Sequence, residues 1–174
     1  MTESREYVGV SGKYTSKGIP NGFTSITPFI TVKNPSEAIE FYKTVFNARV
    51  KDITEYPDEN GNTIIVHAEL DFGNGFLQLG AANPTYQLVL PPDGDNACYS
   101  FGIYVMNVDQ IIEKAVARGA KVREPVTNFV SGDRFASILD PCGVRWSIMT
   151  RIEDLSEEES SRRVAEWAKS FSGE

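Results

Sequence analysis

A single histidine, His67, stands in 174 residues. Histidine-rich metal centres cannot be built from this chain, and any site that needs an imidazole base has one candidate. Cysteine is scarce too. Cys98 and Cys142 lie far apart, form neither a CxxC pair nor a disulfide framework, and read as small buried or half-buried side chains. Positive charge is in deficit: Lys and Arg total 17 against 24 Asp and Glu, a net charge of −7. Without a basic cluster, neither nucleic acid nor an anionic membrane is an expected partner. No apolar run approaches the roughly 20 residues needed to cross a bilayer. The opening MTESREYVGVSGKY has no apolar h-region, so the expected location is cytoplasmic. The hydrophobic share of 41% and charged share of 24% are ordinary for a globular chain, and the length suits one compact domain.

What is present is a repeat. SITPFITV (25–32) and CYSFGIYV (98–105) are short β-rich runs, each leading into a helical stretch, NPSEAIEFYKTVF (34–46) and NVDQIIEKAVARG (107–119). Ala48-Arg49-Val50 and Ala120-Lys121-Val122 follow the helices. Farther on, the run beginning at His67 lies parallel to the run beginning at Ala136, so that Asp71 meets Asp140 and Gln78 meets Ser147. Each half therefore reads strand, helix, three strands. In the first half the helix spans about 35–46, with Pro35 early and an apolar stripe of Ala38, Ile39, Tyr42, Val45 and Phe46. Strands follow at about 49–57, 63–71 and 75–80, broken by turns at 58–61 and 72–75. In the second half, strands near 98–105, 121–129, 134–139 and 144–151 accompany a helix at 108–118. The fold class is α+β: two βαβββ modules (25–80 and 97–152) forming a curved, cleft-lining mixed sheet in one domain (25–152), joined by a linker (81–96). Residues 1–24 read as an irregular N-terminal extension. A C-terminal helix occupies 153–174, with a capping box at Ser156–Glu159 and an apolar stripe of Val164, Trp167, Ala168 and Phe171. The stripe packs on its own domain or against a second copy; the pattern leaves both open.

Strand alternation then sorts side chains by face. Ile64, Val66, Ala68 and Leu70 share one face, and Ile65, His67, Glu69 and Asp71 the other. A four-residue turn pairs Asp71 with Phe76 and so puts His67, Glu69 and Gln78 together. In the second half Tyr99, Phe101, Ile103, Val105, Trp146 and Ile148 face the helices. Cys98, Ser100, Gly102, Tyr104, Arg145, Ser147 and Met149 face away, with Arg134, Ala136 and Ile138 placed beside them. A sheet with one mixed face must be wetted or must curl around something, and a cleft with apolar walls and a few polar groups suits a small molecule.

The two modules in order, with AIEFYKTVFNARV and GDRFASILDPCGVRWSIM, resemble the glyoxalase / bleomycin-resistance / extradiol dioxygenase (vicinal oxygen chelate) superfamily, in its phosphonate-operon-like branch. The resemblance covers about 25–152. It implies isomerase, dioxygenase, antibiotic-modifying or drug-binding roles, since the fold hosts all of them. It also implies four strand positions that carry metal ligands in the metalloenzymes, which here hold Thr27, Gln78, Ser100 and Ser147. Hydroxyls and one amide are poor ligands for a borderline metal ion. No metal and no cofactor are therefore expected.

The leading expectation is a metal-independent small-molecule binding protein with a partly apolar cleft. One alternative is a lyase, isomerase or dioxygenase-type enzyme using a weak metal site or His67 as base, with Glu69 two residues away. Another is a dimeric interaction module. Whether the chain is an enzyme stays open, and a homodimer is the expected assembly. Arg134 and Arg145 are candidates for holding an anionic ligand; the competing reading pairs them with Asp133 and Asp140. Tyr86 and Phe129 are candidate walls. The expected ligand-contacting set is Thr27, His67, Glu69, Gln78, Ser100, Arg134, Arg145 and Ser147.

Overall fold

The computed structural model describes residues 8–171. The expectations for residues 1–7 and 172–174, the ends of the N-terminal extension and of the tail, concern residues outside the described ones. β1 (Thr15–Ser16) and β2 (Ile19–Pro20) make a short antiparallel ribbon within the extension. The first module follows as β3 (Phe29–Thr31), α1 (Pro35–Phe46), β4 (Arg49–Pro57), β5 (Thr63–Asp71) and β6 (Phe76–Gly80). The connection carries a 3-10 turn at Pro84–Tyr86. The second module is β7 (Ser100–Tyr104), α2 (Val108–Ala117), β8 (Lys121–Asn128), β9 (Asp133–Leu139) and β10 (Arg145–Arg151), and α3 (Glu157–Lys169) ends the described chain. The sheets run β3-β6-β5-β4 and β7-β10-β9-β8. In each, the first strand is parallel to the last and the other pairs are antiparallel. The fold is α+β, with α1 and α2 on one side of the mixed sheets. Among the described residues no helix is long and apolar enough to cross a membrane.

Local chemistry sets the helix starts. The Asn34 side chain accepts from the Glu37 amide, and Pro35 occupies the first turn, where its missing N–H costs nothing. Asn107 caps α2 in the same way, through Gln110. β3 is shorter than the run 25–32 because Pro28 has no N–H to donate; the ladder begins at Phe29, while the Pro28 carbonyl still accepts from Gln78.

The apolar faces of both sheets and both helices share one core. Tyr42, Leu70, Leu79, Ile138 and Ile148 are among its fully buried side chains, and each such Leu or Ile contributes about 1.5–3 kcal/mol by leaving water. Trp146 of β10 reaches across to α1, with its ring 4.7 Å from Phe46 and 5.2 Å from Tyr42. Inside this contact lies the Asp140 carboxylate. It accepts from Tyr42 Oη at 2.7 Å and Trp146 Nε1 at 3.0 Å, and from the amides of Cys142 and Val144, both at 2.9 Å. Burial pushes the Asp140 carboxyl up while these donors pull it down. A residue of the first module thus bonds to the β9–β10 turn of the second, 98 positions away.

Two parity expectations are corrected. Val66 is an extra residue in β5: Thr54 pairs with His67 but Glu55 with Ile65. Ile65 is therefore buried in the core instead of sharing the His67 face. Gly80 sits against this bulge, where an added Cβ would meet the Val66 carbonyl oxygen at 2.2 Å, so only glycine fits. In the second module the connection between paired Leu139 and Arg145 holds residues 140–144, against 72–75 between Asp71 and Phe76 in the first. That one additional residue shifts the repeat alignment and flips β9. Ala136 and Ile138 accordingly pair with Ile148 and Trp146 in the core, and Arg134 lies on the helix side with them. Cys98 is exposed, not half-buried; Cys142 is buried, and burial pushes its thiol up to about 12.

Tyr42→Phe removes one donor from a buried carboxylate and keeps the ring. It is expected to cost about 1.5–3 kcal/mol, the usual range for a hydrogen bond to a charged group, read as a lower urea midpoint with unchanged slope. A second prediction concerns acid. Asp71 accepts from the Gly73 amide at 2.7 Å and from Arg49 Nη2 at 2.7 Å, which hold its carboxyl below the ordinary value. A lowered folded value gives stability that is whole above the unfolded pKa and lost as pH falls through the folded one. Asp71→Asn should therefore lower Tm at neutral pH, with the gap to the wild-type chain closing as the pH drops below the carboxylate range in calorimetry.

Candidate functional site

The face of the first sheet that points away from the helices carries a row across three strands: Phe29 pairs with Gln78, and Gln78 with Glu69. Gln78 Nε2 donates to Glu69 Oε1 at 2.9 Å. His67, two residues before Glu69, stacks on Phe29 with centroids 5.9 Å apart. The missing side chain of Gly80 lets these rings meet, since an added Cβ there would lie 3.2 Å from the Phe29 ring. His67, Glu69 and Gln78 are all half-buried. Thr27 lies two residues before β3, also half-buried and outside the ladder. At the end of this face, Phe23 of the N-terminal extension stacks on Phe76 with centroids 4.2 Å apart.

The second sheet carries its own set. Ser100 Oγ and Ser147 Oγ share a hydrogen bond of 3.1 Å. Arg145 donates to Glu124 at 2.7 Å and to Ser137 Oγ at 3.2 Å. Gly102 leaves room for Met149, whose methyl group stands 3.3 Å from where a Cβ would be. This face is hollowed into a groove of about 730 Å³ lined by Thr127, Phe129, Phe135, Ser147, Met149 and, from α3, Trp167. That volume lies in the range of small-molecule pockets. Two carboxylates also reach its wall. Glu124 is held by Arg145. Asp133 is buried and accepts a hydrogen bond from Ser131 Oγ at 2.6 Å. Arg151 Nε stands 2.8 Å from Asp133 Oδ1, which accepts no hydrogen bond, and Arg151 Nη2 donates to Asp133 Oδ2 at 3.4 Å.

Seven of the eight sequence candidates thus fall into a first-sheet set, with Thr27 at its margin, and a second-sheet set. No hydrogen bond, ion pair or ring contact joins the two sets among the described residues. Between the modules lies a smaller cleft of about 350 Å³, bounded by Pro28, Phe76 and Leu77 on one side and Gly102, Tyr104 and Trp146 on the other. Arg134 does not belong to either set. It clamps Asp109 on α2 with Nε–Oδ2 at 2.7 Å and Nη2–Oδ1 at 2.6 Å, and donates to Asn128. The arginines also choose other acids than expected: Arg134 takes Asp109 instead of Asp133, and Arg145 takes Glu124 instead of Asp140.

The four positions that the family resemblance links to metal do not assemble a fitting donor set. Gln78 spends its amide on Glu69, Ser100 and Ser147 bond to each other, and Thr27 stands outside the strand. Among the described residues no group of three or more His, Cys, Asp or Glu is placed to hold a metal ion. Sequence reasoning missed Phe135, Thr127, Met149 and Trp167 as groove residues. Phe135 and Thr127 follow from the corrected β9 parity, and Met149 was already on the right face. Trp167 carried no sequence signal beyond its place in the α3 stripe.

Comparison with known proteins places this geometry. The uncharacterized protein Rv0887c of Mycobacterium tuberculosis is 23% identical over 138 residues, 78% of this chain and 79% of that protein. Among solved structures, a PhnB protein from Bacillus cereus superposes with a TM-score of 0.55 at 19% identity, covering 73% of this chain and 99% of that one. The fosfomycin resistance protein FosX from Listeria monocytogenes, in complex with Mn(II) and sulfate, superposes with a TM-score of 0.57 at 12% identity, covering 81% and 97%. At these identities the superpositions show the fold alone. A model of one protein family matches residues 24–148, both modules in order. The chain belongs to the Glyoxalase/Bleomycin resistance protein/Dioxygenase superfamily.

Proposed function

We propose that this chain is a metal-independent small-molecule binding protein that sequesters its ligand on the open faces of its two sheets. The observation that carries the reading is the engagement of three of the four ligand-equivalent positions. Gln78 is bonded to Glu69 and Ser100 to Ser147, so they offer a ligand neutral hydrogen-bonding groups beside apolar walls and not a cation cage. His67, Glu69, Gln78, Ser100, Arg145 and Ser147 orient the ligand in this reading, with Thr27 at the margin. Residues 25–152 act as one binding unit with α3 appended.

The same reading includes a homodimer. Every residue of β4 but Thr54 is exposed, among them Val50, Ile53 and Tyr56, and an exposed edge strand with apolar side chains favours a partner. It also includes a cytoplasmic setting, which suits two free thiols. A small-molecule library screened by thermal shift should raise Tm with apolar or aromatic compounds. Ser147→Trp, which fills the second-sheet groove, should abolish that rise without lowering the ligand-free Tm by a comparable amount. Metal analysis of protein purified without chelators should find well below one ion per chain; stoichiometric Zn, Ni, Mn or Fe would overturn the proposal.

A second reading is favoured by one observation: His67 is on an open face beside an aromatic ring, with a carboxylate two residues away. An enzyme using His67 as general base would need a substrate proton within hydrogen-bond reach of that imidazole. It predicts a turnover that His67→Ala abolishes. The binding reading predicts that His67→Ala changes affinity for the thermal-shift ligand while no turnover of it is detected in either protein.

A further inference from the structure

α3 lies beyond the segment that matches the family, residues 24–148. It has no buried residue, so it was not recruited to fill the core. Its start is nonetheless fixed to the second module. Ser156 caps it through the Glu159 amide, Ser160 Oγ donates to the Ser131 carbonyl at 3.0 Å, and Arg163 pairs with Glu153 at 2.9 Å. Leu155 packs on Gly132, where a Cβ would stand 2.8 Å from its methyl group. These contacts bring Trp167 of the helix's apolar stripe to the second-sheet groove. Trp167 reaches the groove wall and meets Phe129 edge-on, with centroids 4.9 Å apart and planes at 80°. Phe171 in turn supports Trp167 at 4.8 Å. Trp167 remains 41% exposed, so a large aromatic face is oriented without being covered.

The rest of the groove complements that face. Phe135 and Met149 offer flat or polarizable apolar surface, and Met sulfur contacts aromatic rings favourably. Thr127 and Ser147 supply hydroxyls. Both carboxylates at the wall are engaged by arginines, Glu124 by Arg145 and Asp133 by Arg151. Each carboxylate at the wall thus has its charge balanced by a salt bridge, while Asp133 Oδ1 accepts no hydrogen bond. Neutral, aromatic and lined on several sides, the site selects for planarity and area more than for ionic groups. The geometry points to Trp167 as a specificity-determining wall of the ligand site, which selects uncharged, flat aromatic molecules by stacking them over the Met149–Phe135 surface. This rests on the small-molecule reading above and adds to it the ligand class and a residue outside the family segment.

Acridine, flat and uncharged in weakly alkaline buffer, is the probe, and decanol is the flexible apolar comparison. Acridine fluorescence titrations are run on the wild-type chain, Trp167→Leu and Trp167→Phe, each with its Tm measured; decanol is followed by thermal shift. The difference in emission between wild type and Trp167→Phe isolates Trp167 from the buried Trp146. Acridine should bind the wild-type chain and quench Trp167 by energy transfer. Trp167→Leu should raise its dissociation constant about tenfold, the order expected for a lost stacking wall, at nearly unchanged Tm, and Trp167→Phe should fall between. Equal affinity in Trp167→Leu overturns the inference and leaves the binding reading standing, as does a wild-type chain that binds decanol and not acridine. Failure to bind either compound counts against both. Trp167 shielded from acrylamide in the ligand-free protein would mark a second copy of the chain over the groove, and would also overturn the inference.

Discussion

The arrangement of the two modules depends on one buried carboxylate. Asp140 is 4% exposed and stands at the end of β9, where its own turn supplies two amides. The other two donors are the Tyr42 hydroxyl from α1 and the Trp146 indole from β10. An ionised carboxylate is expensive to bury unless its lone pairs are met, and here four donors meet them. That requirement is directional where hydrophobic contact is not. It fixes how α1 of one module stands against the sheet of the other, which the aromatic packing of Tyr42, Phe46, Phe72 and Trp146 alone would allow to slide. No hydrogen-bonded ladder joins the two sheets among the described residues, so this polar anchor does work that a continuous sheet would otherwise do.

With α1 and α2 packed on one side of the sheets, the opposite faces are left to chemistry. Both are half-covered surfaces in which polar groups satisfy one another: Gln78 with Glu69, Ser100 with Ser147, Arg145 with Glu124. Such pairs leave little unmet charge and considerable apolar wall. This is a surface suited to a molecule that brings area and a few hydrogen bonds. The N-terminal extension and α3 each contribute aromatics to these faces, Phe23 on Phe76 and Trp167 on Phe129. The segments outside the repeat thus shape the two sheets differently, although the modules share one plan.

Much of the fold was legible because it rests on local rules. Asn-capped helices, Pro35 in a first turn and the four-residue turn that pairs Asp71 with Phe76 are all decided within a few residues. The likeness of the halves was legible for the same reason. The errors came from single-residue offsets. The bulge at Val66 is a gap in pairing that no side chain announces, and it moved Ile65 into the core. The longer β9–β10 connection was hidden by the attractive match of Asp71 with Asp140, two aspartates that occupy different register positions. One offset was enough to send Arg134 to the helix side.

The sequence by itself determined the α+β class, the duplicated module, the faces of β6, β7 and β10, and the want of strong metal donors at the four family positions. Periodicity and residue type carry that information, and both are properties of neighbours along the chain. Only the tertiary structure decided which acid each arginine takes, that Cys98 is exposed while Cys142 is buried, and that Trp167 walls a groove on β9 and β10. Those outcomes depend on distances between segments far apart in sequence, and on Coulomb attraction and burial, which act through space and leave no mark on the spacing of residues.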